Sequence, residues 1–435
     1  MAFVHECSCE CTKSELDLFS LPPTQTSLEA ASYGEYHPLT SLADGSTIEF
    51  EISGTGEDYL DLNNTLLRIK AVVTTLNGEN IPDDANVAPV NYFMHSMFSQ
   101  LDIFLNGTQI TSSTDTYAYR AYLEALLSYG AEAKECQLAA ALYYKDDAGK
   151  MDSTAADDPN SGFVIRKRMA RQSSIIDMIG RLHADIFFQD RYMLNEINLK
   201  IRLTRNKHSF CLMSPDRFAV KIIGAELYVR KIKLSPSISI AHAKALEIGT
   251  AKYPIRRVVC KTFTISAGLR DVSHEKLYSG QLPCRLVIGL VDNAGFNGAF
   301  NRNPFNFDNF NLSEIGLYLD GQQGYSIRPL KLDYANQQYV DAYMNLFIGS
   351  NKINRDEGNC IKRTDFPSGY ALYVYDLTPD LAEGDHFNLL KQGTVRLTLR
   401  FADALARAVT VVTYAEFENV IEIDRSRNIL FDFSS

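Results

Sequence analysis

The densest run of reactive side chains is Cys7-Ser8-Cys9-Glu10-Cys11, with His5 two residues ahead. In an extended chain alternate side chains share a face, so the three thiols line up. Three thiolates and an imidazole could complete a tetrahedral zinc set. No second ligand pair follows at finger spacing. Cys7, Cys9 and Cys11 are therefore weak metal candidates, and an unliganded tail is the preferred reading. Cys136, Cys211, Cys260, Cys284 and Cys360 stand far apart and read as small core hydrophobes. His183, in Arg181-Leu182-His183-Ala184-Asp185, could act as a base oriented by Asp185. It reads better as a polar residue at a strand end. The eight histidines do not cluster, and G-x-S-x-G, G-x-x-x-x-G-K-[ST] and H-E-x-x-H are all absent. Neither catalysis nor a cofactor is expected.

Two further stretches carry potential binding chemistry. Arg166-Lys167-Arg168-Met169-Ala170-Arg171 is the one basic cluster, a possible nuclear address or nucleic-acid contact. Balanced by the acids before it, it reads better as a solvated loop flank. Phe296 to Phe310 interleaves phenylalanines with Asn297, Asn301, Asn303, Asn306 and Asn309, which could stack single-stranded bases. Its one basic residue is Arg302, so a loop packed by its own rings is preferred. Net charge is −10, the wrong sign for a dedicated duplex binder, and no sequence-specific nucleic-acid partner is expected. The absence of Trp beside 24 Phe and 23 Tyr weakens a carbohydrate-binding reading. No uninterrupted apolar run reaches 18 residues, so no membrane span is expected. Met1 to Glu6 is too short and polar for a signal peptide.

What positions these residues is a repeated unit. Ser99-Gln100-Leu101-Asp102-Ile103-Phe104-Leu105-Asn106-Gly107 matches Ser313-Glu314-Ile315-Gly316-Leu317-Tyr318-Leu319-Asp320-Gly321. Leu101, Ile103 and Leu105 alternate as Ile315, Leu317 and Leu319 do. Asn106-Gly107 and Asp320-Gly321 tolerate the positive φ of a tight turn. A helical pattern follows each strand: Tyr119, Tyr122, Leu123, Leu126 and Leu127, then Tyr339, Ala342, Tyr343, Leu346 and Phe347. Leu199–Leu203 recurs as Leu397–Phe401, and Ala219–Leu227 as Val409–Phe417. Four blocks in one order point to an internal duplication. The first copy carries 22 extra residues, placed near Asp146-Asp147 through Asp157-Asp158 to Gly162; turn formers predict a long exposed loop there.

The remaining runs alternate as short strands between Gly, Asn, Asp and Pro clusters. The fold class is therefore all-β: two tandem jelly-roll β-sandwich domains, a double jelly roll, with short inserted helices. Residues 1–40 read as an N-terminal arm, 41–235 as the first jelly roll, 236–255 as a linker and 256–435 as the second. Within the arm, Leu16, Leu18, Phe19 and Leu21 precede Pro22 and Pro23, which block helix and central strand alike.

Three segments carry a family resemblance. Ser14 through Ser27 is the first. The second is Phe98 through Gly107, followed by Tyr117 through Gly130. The third is Leu182 through Arg191 with Leu199 through Arg205. Together they resemble the major capsid proteins of Polinton (Maverick) elements and adintoviruses. The likeness covers residues 14–235 and fades beyond, where the internal repeat carries the argument. It implies a double jelly-roll capsid subunit, three chains forming a six-sided capsomer. It implies as partners neighbouring capsomers and a minor (penton) capsid protein, with location in the virion. Production would be in the host cytoplasm, with assembly there or in the nucleus. It also implies outward loops that include the insert, and an arm on the inner side. The alternatives are a domesticated or minor capsid protein of the same fold, or a ligand-binding or hydrolytic β-sandwich.

Overall fold

The computed structural model describes residues 7–431 except 10, 43–46, 55, 156–158, 321, 324–326 and 382–385. The first half contributes β1 (Leu28–Tyr36), β2 (Ile48–Ile52), β3 (Tyr59–Thr74), β4 (Phe98–Leu105), β5 (Thr108–Gln109), β6 (Ile176–Arg181), β7 (Leu199–Arg205) and β8 (Ala219–Leu234). The second contributes β9 (Ala251–Ile265), β10 (Asp271–Gln281), β11 (Arg285–Asp292), β12 (Leu312–Leu319), β13 (Gln322–Gln323), β14 (Leu372–Asp376), β15 (Gln392–Phe401) and β16 (Val409–Ile423).

Each half is a two-sheet sandwich, and the strand order is the same in both. The first half has sheets β1-β8-β3-β6 and β2-β7-β4-β5; the second has β9-β16-β11-β14 and β10-β15-β12-β13. All these neighbours are antiparallel. Short strands at Ile429–Leu430 and Leu330–Lys331 extend the second pair of sheets. Alternation of apolar and polar residues puts one face of each sheet into a shared interior. Thus β8 buries Leu227, Val229 and Ile232, and β15 buries Val395, Leu397, Leu399 and Phe401.

The duplicated strand-turns occupy equivalent places. Leu101, Ile103 and Leu105 pair with Leu203, Ile201 and Leu199; Ile315, Leu317 and Leu319 pair with Leu399, Leu397 and Val395. Five of the six matched residues are buried, and Leu319 is half-buried. Asn106 (φ 45°), Gly107 (φ 81°) and Asp320 (φ 52°) adopt the left-handed turn conformation; Gly321 lies outside the described residues. A helix follows each hairpin: α1 (Tyr117–Ser128), and after it in the chain α2 (Ser161–Ala170), α3 (Pro236–Ile248) and then α4 (Val340–Gly349), the counterpart of α1.

Two boundaries differ from the sequence reading. The loose arm ends at Ser27 instead of residue 40, because Leu28–Tyr36 finds an edge to pair with on β8. β9 begins at Ala251, inside the stretch read as linker, because long β16 offers it partners from Ile423 back to Val409.

Candidate functional site: the seam between the halves and the N-terminal arm

Helix α1 carries the first half's contribution to the seam. Its i, i+4 pair Arg120 and Glu124 is joined at 2.9 Å, and Arg120 also holds Asp185 at 2.6 Å. The Nδ1 of His183 lies 2.6 Å from Glu124 Oε2, and its Nε2 lies 2.8 Å from the Tyr92 hydroxyl. The second half closes over this cluster. Tyr414 Oη donates to Glu124 Oε1 at 3.2 Å, and the Val258 N–H donates to Asp185 Oδ1 at 3.2 Å.

Burial works against the charge on Glu124, but Arg120 and His183 outweigh it and hold the carboxyl below its usual range. Asp185 goes the other way: burial raises it beyond what Arg120 offsets. His95, packed T-shaped against His183 at 4.7 Å, is held well below the usual imidazole range, by burial first and by His183 second. The void beside Arg120, His183, Val258 and Cys260 encloses about 30 Å³. That is room for a water and not for a substrate. The His183–Glu124 pair is built like a general-base dyad, and Tyr414 of the second half bonds the same carboxylate. The sequence offered Asp185 as one partner for His183 and favoured a polar strand-end residue; the fold gives that histidine Glu124. The i, i+4 spacing of Arg120 and Glu124 on a helix otherwise buried is the signal that could have found it.

A second buried cluster corrects two expectations. Asp146 is 1% exposed, not a loop-tip acid, and its side chain sits 2.6 Å from that of Arg166, which is fully buried on α2. Arg166 is therefore no solvated flank. Its Nε and Nη1 donate to the carbonyls of Pro89 and Tyr144 at 2.8 and 2.6 Å. Asn160 and Asn303 donate to the two Asp146 oxygens at 2.9 and 3.0 Å. Polar composition predicted exposure because unpaired charges cannot be buried; these are paired at every named oxygen and nitrogen. Asp147 is half-buried, and Asp157 and Asp158 lie outside the described residues. The insert is partly folded: its last two residues, Ser161 and Gly162, open α2, which buries Phe163, Arg166 and Ala170.

The aromatic run also turns inward, but its rings meet Tyr119, Tyr122 and Phe210 of the other half, where the sequence favoured a loop packed by its own rings. Phe305 stacks on Tyr122 of α1 with centroids 4.2 Å apart and planes at 5°, and Tyr119 Oη donates to the Pro304 carbonyl at 3.0 Å. Phe307 fills space where a side chain on Gly289 of β11 would come within 2.4 Å. Lys145 reaches Asp365 at 2.5 Å, and the amine of Lys134 donates to the Asn359 carbonyl at 2.6 Å. Burial lowers the Lys134 amine to about 7. The seam is thus stitched by rings, charges and backbone bonds from both halves.

The arm is the reverse. Leu16, Leu18, Phe19 and Leu21 are 67%, 76%, 98% and 90% exposed, and Pro22 and Pro23 are exposed too. Cys7, Cys9 and Cys11 are exposed free thiols; among the described residues no group of His, Cys, Asp or Glu could hold a metal ion. Cys211, Cys260 and Cys284, by contrast, are pushed up to about 12 by burial.

The chain superposes on a chain of the Sputnik virophage with a TM-score of 0.66, over 98% of this chain and 94% of that one, at 11% identity. The fold is a double jelly roll. The same double jelly roll aligns with the mavirus major capsid protein (TM-score 0.56, 11% identity, 98% and 95% coverage). It also aligns with the Faustovirus major capsid protein (TM-score 0.58, 10% identity, 95% and 92% coverage). In sequence, an uncharacterized protein of Caenorhabditis elegans is 27% identical over 428 residues, which span 95% of this double jelly roll and 99% of that protein. No family model matches. Among the described residues no helix is long and apolar enough to cross a membrane.

Proposed function

We propose that the chain is a major capsid protein that homotrimerises into pseudo-hexagonal capsomers. The observation that carries this reading is the strand order repeated twice in one chain and locked at the seam. Three copies about one axis place six similar rolls around it, which lets a trimer fill a six-neighbour lattice site with one repeated contact. The likeness to the mavirus and Faustovirus proteins supports the same reading. Its partners would be further copies, neighbouring capsomers and a minor penton protein, in a virion of the Polinton–adintovirus kind. We divide the molecule into an arm, a first roll, a connecting helix and a second roll, the arm serving assembly and the rolls forming the tile.

The full-length nematode relative favours a second reading, a copy of such an element resident in an animal genome. Multi-angle light scattering separates the capsid proposal from a monomeric ligand-binding sandwich. A homotrimer is expected at micromolar concentration, and a monomer there overturns the proposal. Negative-stain images should show six-lobed particles.

A further inference from the structure

The helix joining the halves is poorly covered. Along Pro236–Ile248 a single side chain, Leu246, is buried, while Ile240 and Ile248 are 57% and 93% exposed. Tyr59 Oη pins it to the first roll by a 3.1 Å contact with His242 Nδ1. Between this helix, the start of β1 and the start of β9 lies a groove of about 590 Å³, with Leu28, Tyr59, Leu234, Ile238, Ala245 and Leu246 among its walls. An open apolar groove of this size on a surface marks an interaction site.

The same molecule carries an apolar segment that the described residues leave exposed: Leu16, Leu18, Phe19 and Leu21. Its tether is the groove's own lip, since Ser27 and Leu28 line the groove. The exit is fixed, because the Gln25 side chain exchanges hydrogen bonds with the Leu28 N–H and carbonyl at 2.8 and 3.2 Å. Pro22-Pro23 then hold the next step extended. Residues 22–27 reach about 20 Å when extended, which gives the apolar segment the length to reach a neighbouring copy. The groove's lining holds Arg191 and Lys252 against one acid, Asp190, and the arm brings Glu15 and Asp17 against one base, Lys13, so the two carry opposite net charge. We propose that the apolar segment Leu16–Leu21 of one chain docks in the groove beside Pro236–Ile248 of a second copy. This rests on the self-assembling reading above and names the contact that joins copies.

Phe19 replaced by the photo-cross-linker p-benzoylphenylalanine in the full-length chain tests it, because that site touches nothing in the fold. Irradiation should give a covalent dimer whose cross-link maps to residues 238–253. Cross-linked material of monomer mass, or dimers mapped elsewhere, overturns the proposal. Ala245→Trp, an exposed helix position that fills the groove, should lower the dimer yield about tenfold with circular dichroism unchanged. An undiminished yield also overturns it. Light scattering on the same sample separates the two readings. A trimer without the groove cross-link removes this contact alone, and a monomer without it removes both.

Discussion

Arg166 and Asp146 are fully buried charges, while Phe19 is a large apolar side chain 98% exposed. The seam and the arm depart from ordinary burial in opposite directions. At the seam the departure is tolerated because each charge meets fixed partners from several elements, so little desolvation remains unmet. On the arm no described residue covers Phe19 and the leucines beside it, so their surface is left exposed. The seam joins two rolls through buried partners, and the arm leaves an exposed apolar end. The comparison can be tested at either end.

The largest effect belongs to the buried ion pair. Arg166→Met strands Asp146 and should lower unfolding stability by about 3–5 kcal/mol in urea. Adding Asp146→Asn should restore part of it; a double variant that loses the sum of the two single losses would mean the pair is not coupled. Phe305→Ala removes the ring stacked on Tyr122 and should cost about 3 kcal/mol. A much smaller loss would show that the halves are held elsewhere.

Titration comes next. Lys134 sits near 7 when folded against 10.5 when free, so between those values the unfolded chain binds more protons. Stability should therefore rise with pH across that window, by at most about 1.4 kcal/mol per unit, and Lys134→Met should flatten the slope. His95 acts the same way at lower pH. The unfolded chain takes up its proton before the buried ring does, so stability falls as the solution is acidified below about 6.5. The smallest effect on folding belongs to the arm. Phe19→Asp should shift stability by less than about 0.5 kcal/mol yet impair shell assembly. A large loss of stability there would erase the distinction between seam and arm.

How much was legible follows from how far apart the partners lie in the chain. Leu101, Ile103 and Leu105 announced a strand because alternation is local, and Asn106-Gly107 announced its turn because positive φ is local. Repetition at Ile315, Leu317 and Leu319 then disclosed two sandwiches. The seam was not legible. Asp146 and Asn303 are 157 positions apart, and Arg166 and the Pro89 carbonyl are 77 apart. Polarity alone marked Asp146 and Arg166 as solvent-facing, and nothing near His183 in sequence named Glu124. The edge strand Leu28–Tyr36 was missed because its pattern is mostly exposed and it exists through its pairing with β8.

By itself the sequence determined the duplicated strand-turn-helix blocks, the all-β class and an apolar segment unable to fold alone, since period, turn chemistry and composition act over a few residues. The tertiary structure decided which charges could be buried, which carboxylate the histidine received and where a groove opened beside the joining helix. Those outcomes depend on desolvation and on partners brought together from both halves, and neither exists until the chain is folded.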